Sequence, residues 1–259
     1  MNEHDLFKHE RKQRIKNQED KKILKTISHN FMSESFKEKY SYNFEYLGRP
    51  IIQYPQDMIS IQELIWKVKP DLIIETGIAH GGSLIMSASM LGMLDMCDAI
   101  ESGVSINPNE SRRKVLGVDI DIRSHNKVAI ESHPMASRIQ MIEGSSTSPE
   151  IISRVIDIAN GYSCIMVLLD SNHTHEHVLK ELSAYAPLTS IGSYCIVFDT
   201  IIENIPSDMS SDRPWGPGNN PKTAVGYYLS THDEFEIDKD IQNKLLISVA
   251  PDGYLKRKK

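Results

Sequence analysis

The chain is short of cysteine, of long apolar runs and of positive charge, and each shortage removes a class of protein. Its three cysteines, Cys97, Cys164 and Cys195, show none of the close spacings that metal centres use. Two of them lie inside apolar runs, SCIMVLL and YCIVF, and read as reduced core residues of a cytoplasmic protein. No apolar stretch approaches the roughly 18 residues that span a bilayer. The opening segment MNEHDLFKHERKQRIKNQEDKKILK has no apolar centre, so a secretory signal is not expected. With 29 Lys and Arg against 35 Asp and Glu, the net charge is −6, the wrong sign for a non-specific nucleic-acid binder. Internal repeats and low-complexity runs are missing too. What is left is an ordinary globular composition, 40% hydrophobic and 25% charged, in 259 residues. That length suits one large core with additions.

Residues 1–45 are mostly polar, with sparse apolar positions at Leu6, Phe7, Ile15, Ile23, Leu24, Ile27 and Phe31. They read as an N-terminal helical arm, exposed or packed on a partner, and point to a homo-oligomer. From Tyr46 the character changes. Two prolines and then Ile61, Leu64, Ile65 and Val68 at helical spacing predict a loop and a helix that ends before Pro70. Residues 46–259 then alternate. DLIIE (71–75), VLGVDID (115–121), RIQMIEG (138–144), CIMVLLD (164–170) and SYCIVFDT (193–200) are predicted strands. LIMSASMLGML, PEIISRVIDIAN and HEHVLKELSAYAPL are the helices between them. This alternation predicts an α/β fold: a Rossmann-like, doubly wound, mostly parallel sheet with helices on both faces. The tail LLISVAPDGYLKR is expected to close the sheet as an edge-strand pair.

The first segment that carries chemistry is Glu75-Thr76-Gly77-Ile78-Ala79-His80-Gly81-Gly82-Ser83, between a strand and a helix. Small residues let the backbone approach a ligand, and the helix start offers unpaired N–H groups. An acid two positions before the first glycine fits a pyrophosphate poorly. It suits an ammonium group, such as that of S-adenosylmethionine. Asp119, at the end of the second strand, is placed to hold both hydroxyls of a ribose. Asp121 competes for that role, on the same side and one step farther out. Gly144-Ser145-Ser146 is a candidate turn on the adenine side.

Asp170, in LDSNH, and Asp199, in FDT, end neighbouring strands and converge on the same crevice. Oxygen ligands of this kind suit Mg²⁺. His173 is a candidate base for a substrate hydroxyl, whereas His175 and His177 read as exposed helix-start residues. The segment from Asp212 to Lys222 follows the fifth strand, where a lid is expected. Within it Trp215 offers a stacking face for a sugar, and Arg213 and Lys222 offer charge for a phosphate or carboxylate.

Taken in order, PIIQYPQDMISIQELIWKVKPDLIIETGIAHGGS, VLGVDIDIR, LLDSNHTHEHVLKELSAYAPL, GSYCIVFDT, RPWGPGNNPKTAV and GYLKR resemble the cephalosporin hydroxylase/rhamnosyl O-methyltransferase family. The resemblance implies a class I methyltransferase fold, S-adenosylmethionine as cofactor and, in some members, Mg²⁺. It places Glu75, Gly77, His80, Gly81 and Ser83 in the cofactor turn and Asp119 with Ile120 at the ribose. Gly144 and Ser145 fall on the adenine side. Asp170 is shared between cofactor and catalysis, and Asp170 and Asp199 are the metal ligands. One departure stands out: the family commonly has an acidic pair where this chain has Phe198-Asp199. A phenyl ring cannot coordinate a cation, so either a neighbour such as Asn172 or Glu203 completes the set or metal binding weakens. The implied activity is methylation of a sugar hydroxyl, with a nucleotide-linked sugar for a surface polysaccharide as acceptor. Two other readings compete. One is a hydroxylase or its accessory protein, although no two-histidine, one-carboxylate set for iron is apparent. The other is a non-catalytic cofactor-binding partner subunit.

Overall fold

The alternating pattern folds as one seven-stranded sheet flanked by helices. The computed structural model describes residues 2–259. Two arm helices, α1 (Glu3–Gln18) and α2 (Lys22–Lys37), lead into a short antiparallel pair, β1 (Phe44–Tyr46) and β2 (Arg49–Ile51). Helix α3 (Pro55–Val68) begins on a proline, where the missing N–H would be unpaired anyway, and stops at Lys69, ahead of Pro70. There follow β3 (Leu72–Thr76), α4 (Gly82–Ser102), β4 (Lys114–Asp119), α5 (Ser124–Glu131), β5 (Ile139–Glu143) and α6 (Pro149–Ala159). The rest of the chain gives β6 (Ile165–Leu169), α7 (His175–Tyr185), β7 (Tyr194–Val197), α8 (Pro221–Leu229), β8 (Phe235–Ile237), α9 (Lys239–Leu245) and β9 (Tyr254–Arg257).

The sheet order is β5-β4-β3-β6-β7-β9-β8. Strands β3 to β7 run parallel, and β9 is antiparallel to both β7 and β8. From β3 the chain winds outward through β4 and β5, then returns to the other side of β3 for β6. A crevice opens where the winding reverses, at the carboxyl ends of β3, β4 and β6. Alternation along each strand divides the core. Ile73, Val115, Met166, Leu168, Ile196 and Phe198 pack on the side of α3 and α4, with Ile61, Leu64 and Leu84. Leu72, Ile74, Leu116, Val118, Val167 and Leu169 pack on the other side, with Val155, Val178 and Val225 of α6, α7 and α8.

The structure corrects two sequence expectations here. The edge pair is β8 with β9, and LLISV takes no part in it. The buried Asp57 carboxylate captures that segment instead, accepting from Ser248 Oγ at 2.7 Å and Val249 N at 2.9 Å. And α4 is, by length and composition, apolar enough to cross a membrane. It serves as a core helix: Leu84, Ile85, Met86, Ala88, Leu91 and Leu94 are buried. The arm divides its loyalties. Helix α2 turns Ser28, Met32 and Ser35 inward, while α1 lies beside α9 and buries no residue.

Candidate active site

The hydrogen-bond ladder brings the strand ends into line. Gly77 N donates to Val118 O at 2.8 Å, Asp170 N to Thr76 O at 2.9 Å and Phe198 N to Leu169 O at 3.0 Å. The residues just past those bonds therefore share one rim. That rim borders a cleft of about 940 Å³, lined by the turn from Gly77 to Ser83, by Asp119, by Asp170 to His173 and by Asp199. A smaller cleft of about 230 Å³ shares Gly77, Asp119, Ser171 and Asn172 with it and adds Ile120, Ser145, Ser146 and His177.

Asp119 sits where the two clefts meet. Its Oδ2 accepts from Ile78 N at 2.7 Å and Ala79 N at 3.3 Å, and its Oδ1 from Asp121 N at 3.1 Å. It thereby ties the end of β4 to the turn after β3. Asp121 is exposed and lines neither cleft. The turn is braced from behind as well. Arg49 donates to His80 O at 3.0 and 2.7 Å and to Asn126 Oδ1 at 2.9 Å, and Asn126 Nδ2 donates to Ala79 O at 2.9 Å.

Glu75 is placed differently from the expectation. It is 2% exposed and absent from the cleft lining, because two positions before Gly77 it lies a layer below the rim. One carboxylate oxygen accepts from the Ser83 hydroxyl, and the other, Oε2, is buried without a partner. Loss of water raises the Glu75 pKa to about 7, with the Ser83 bond opposing the shift. A folded-state value above the unfolded one contributes stability below about pH 4.5, which is lost as pH rises through about 7. Thermal stability measured from about pH 5 to 8 should therefore fall less in Glu75→Gln than in the parent. Parallel curves for the two proteins would contradict this placement.

Asp170 and Asp199 do meet. Asp170 is half-buried, and removal from water, reinforced by the charges of Asp199 and Glu75, raises its pKa well above the ordinary carboxyl value. Asp199 reaches the rim from a left-handed backbone turn, φ 55°. His173 joins the pair, with Nε2 3.2 Å from Asp199 Oδ2. One ligand atom from each of the three residues lies within 4.8 Å of the others. Phe198 continues the β7 alternation into the core and is 3% exposed. His175 and His177 are half-buried, not exposed as expected, and His177 lines the smaller cleft. His175 Nδ1 pairs with Thr223 Oγ1 at 2.8 Å, and His177 Nε2 lies 3.1 Å from both Ser146 Oγ and Ser171 Oγ.

The segment after β7 covers the same rim. Trp215 stands edge-on to His173, ring centroids 5.5 Å apart, and Arg213 lies over the indole at 5.8 Å. Both line the cleft. Lys222 does not: its ammonium pairs with Asp252 at 3.1 Å, which directs it away. Gly144 likewise lines neither cleft, although its neighbour Ser145 does. Two contributions carry no signal in the sequence. Gln53, 4% exposed, donates from Nε2 to Asp170 Oδ2 at 3.0 Å. The end of the arm also forms a wall, through Phe36, Lys37, Lys39, Ser41 and Tyr42. Gln53 falls within the PIIQYP stretch of the resemblance, but nothing there assigns it a role, and only the fold brings these positions to the strand ends.

Comparison with known proteins agrees with this fold. The family model for rhamnosyl O-methyltransferase/CmcI matches residues 38–258. The rhamnosyl O-methyltransferase of Mycobacterium tuberculosis (strain ATCC 25618 / H37Rv) is 30% identical over 217 residues, which cover 82% of this chain and 77% of that protein. The protein of the same name from Mycobacterium leprae (strain TN) is 27% identical over 236 residues, 88% of this chain and 91% of that one. Among solved structures, CmcI with Mg and SAM superimposes with a TM-score of 0.52 at 16% identity, covering 83% of this chain and 77% of its own. Apo CmcI gives 0.51 at 16%, over 84% and 77%. The shared architecture is the Rossmann-like fold of the class I methyltransferases. By the extent of the family match, the chain belongs to the rhamnosyl O-methyltransferase/CmcI family.

Proposed function

We propose that this protein transfers the methyl group of S-adenosylmethionine to a hydroxyl of a sugar, carried on a nucleotide and destined for a surface polysaccharide. The observation that carries the reading is the common rim. Gly77, Asp119 and Asp170, distant in sequence, border one cleft of a size that suits a small-molecule site. The cleft also fits the cofactor in kind: its backbone turn carries no side chain at Gly77, and Asp119 stands at its junction with a narrower pocket. The names of the mycobacterial relatives support a sugar acceptor, and the Mg and SAM held by CmcI support the cofactor and a cation.

In this scheme Asp119 holds the ribose, Ile120 and Ser145 flank the base, and Asp170 and Asp199 hold a divalent cation. A bound cation lowers the cost of ionising the acceptor hydroxyl. The remaining work is positional, because the sulfonium already activates the methyl group. The C–S bond would break as the O–C bond forms, leaving a methyl ether and the thioether, and the hydroxyl proton would pass to His173, which stands at the same rim. Trp215, beside His173, offers its ring to the sugar face. The exposed apolar side chains Leu6, Phe7, Ile23, Ile27 and Phe31 support self-association through the arm. The free cysteines suit a cytoplasmic setting.

The test is an assay with methyl-labelled S-adenosylmethionine and a panel of nucleotide sugars, with and without chelator. Label should enter a sugar, and chelator should suppress it. An oxygen-dependent product, or tight cofactor binding without turnover on any acceptor, would overturn the reading.

A further inference from the structure

Asp170 and Asp199 offer only two carboxylates to a cation, since Phe198 is turned into the core, and the candidates for a third ligand can be sorted by what each already holds. Glu203 Oε2 accepts from Gly218 N at 2.8 Å and from the Asn220 amide, and Glu203 lines no part of the cleft. It pins the loop before α8. Asn172 Oδ1 accepts from Thr174 N at 2.9 Å and Thr174 Oγ1 at 2.8 Å, which shapes the start of α7. Neither is free to turn towards Asp170. His173 already stands there, with Nε2 on the Asp199 side and Trp215 limiting its movement.

A second observation points to a cation at this spot. Gln53 is almost wholly buried, and its amide nitrogen engages Asp170 Oδ2, so its Oε1 is left without any donor. A buried acceptor without a partner is costly. Water bound to a cation donates hydrogen bonds and never accepts them, so a hydrated ion beside Asp170 supplies the missing donor. Asp170 Oδ1, which makes no hydrogen bond among the described residues, remains available to the ion.

We infer that His173 is a metal ligand in this chain, completing an Asp170–His173–Asp199 set, and that the site prefers Mn²⁺ to Mg²⁺. The inference rests on the methyltransferase reading and changes one role within it: His173 binds the ion through Nε2, and the alcohol's proton passes to water in the open cleft. An imidazole nitrogen is a softer donor than a carboxylate, and it favours Mn²⁺ and its heavier neighbours over Mg²⁺, whose sites are oxygen-rich.

Mn²⁺ is a paramagnetic probe, and the test needs no acceptor. Electron spin-echo spectra of the Mn²⁺-loaded full-length protein should show nitrogen modulation from one imidazole. His173→Gln should abolish that modulation and weaken Mn²⁺ binding by about 10-fold or more. Mg²⁺ should displace half the Mn²⁺ only at about 10-fold excess or above. A Mn²⁺ spectrum without nitrogen, or one unchanged in His173→Gln, overturns the assignment. A parent spectrum without nitrogen overturns the assignment even if the variant folds poorly, and His173→Ala serves as a second variant to assign the nitrogen where it is seen. Calorimetric binding of S-adenosylmethionine to the same samples separates the two failures. If the cofactor binds and nitrogen is missing, only the ligand assignment falls; if neither ion nor cofactor binds, the transferase reading falls with it.

Discussion

Asp170→Ala is expected to reduce methyl transfer by about 10³-fold or more while S-adenosylmethionine affinity changes only a few-fold. The carboxylate is the meeting point of three features: the rim residue after β6, the acceptor for Gln53 and an acid within reach of both Asp199 and His173. Removing it leaves two donors for the ion and misplaces the acceptor hydroxyl. The turn after β3 and Asp119, which the proposed cofactor site also uses, should keep their places, since the Asp170 backbone N–H keeps its bond to Thr76 O. Stability should change little, because the buried Gln53 amide loses its acceptor while a crowded acid is removed. In the parent, Asp170 is a desolvated acid beside Asp199 and Glu75, which is why its pKa lies so high, and alanine relieves that crowding. A melting temperature close to the parent's, together with lost turnover, would tie the loss to chemistry. Retained activity in a folded Asp170→Ala protein would sink the assignment.

Much of this site is legible in the sequence because strands have period two. Ile73, Glu75 and Gly77 point to one face of the sheet, as do Gly117 with Asp119, Leu168 with Asp170, and Ile196 with Phe198. Once the βα alternation is recognised, the acids at 119 and 170 must share a rim. What alternation leaves out is depth. Glu75 lies on the correct face and one layer too low, and only the position of the first turn decides that. Side-chain pairing is equally invisible. Nothing in RPWGPGNNPK tells Arg213, which stays over Trp215, from Lys222, which Asp252 captures from the loop before β9. The arm shows the same limit from the other end. Its tip reads as polar surface in one dimension, yet Lys39 and Tyr42 wall the cleft because β2 runs in front of the α4 N-terminus. Phe198, by contrast, announces a missing ligand in sequence, whereas the closeness of His173 to Asp199 is evident only from distances.

The second large effect is expected at Gly77, where the turn has two separate reasons to refuse a side chain. Its φ of 88° lies in the left-handed region, which costs an L-residue about 1–2 kcal/mol. A Cβ there would also run into the carbonyl oxygen of Asp170, which is backbone and cannot swing aside. Overpacking adds about 1–3 kcal/mol. Gly77→Ala should therefore lose about 3 kcal/mol, or about 10 °C in melting temperature for a domain of this size. The collision also pushes directly on Asp170, so cofactor binding and methyl transfer should fall further than the stability loss explains. Gly103→Ala supplies the control. That glycine ends α4 with φ 64°, and a Cβ there would meet nothing within 4 Å, so it should show the conformational cost alone, about 3 °C. If the two variants melt together and Gly77→Ala still binds S-adenosylmethionine normally, then β3 and β6 do not meet as tightly as described. The acids beyond them would then lose their common rim.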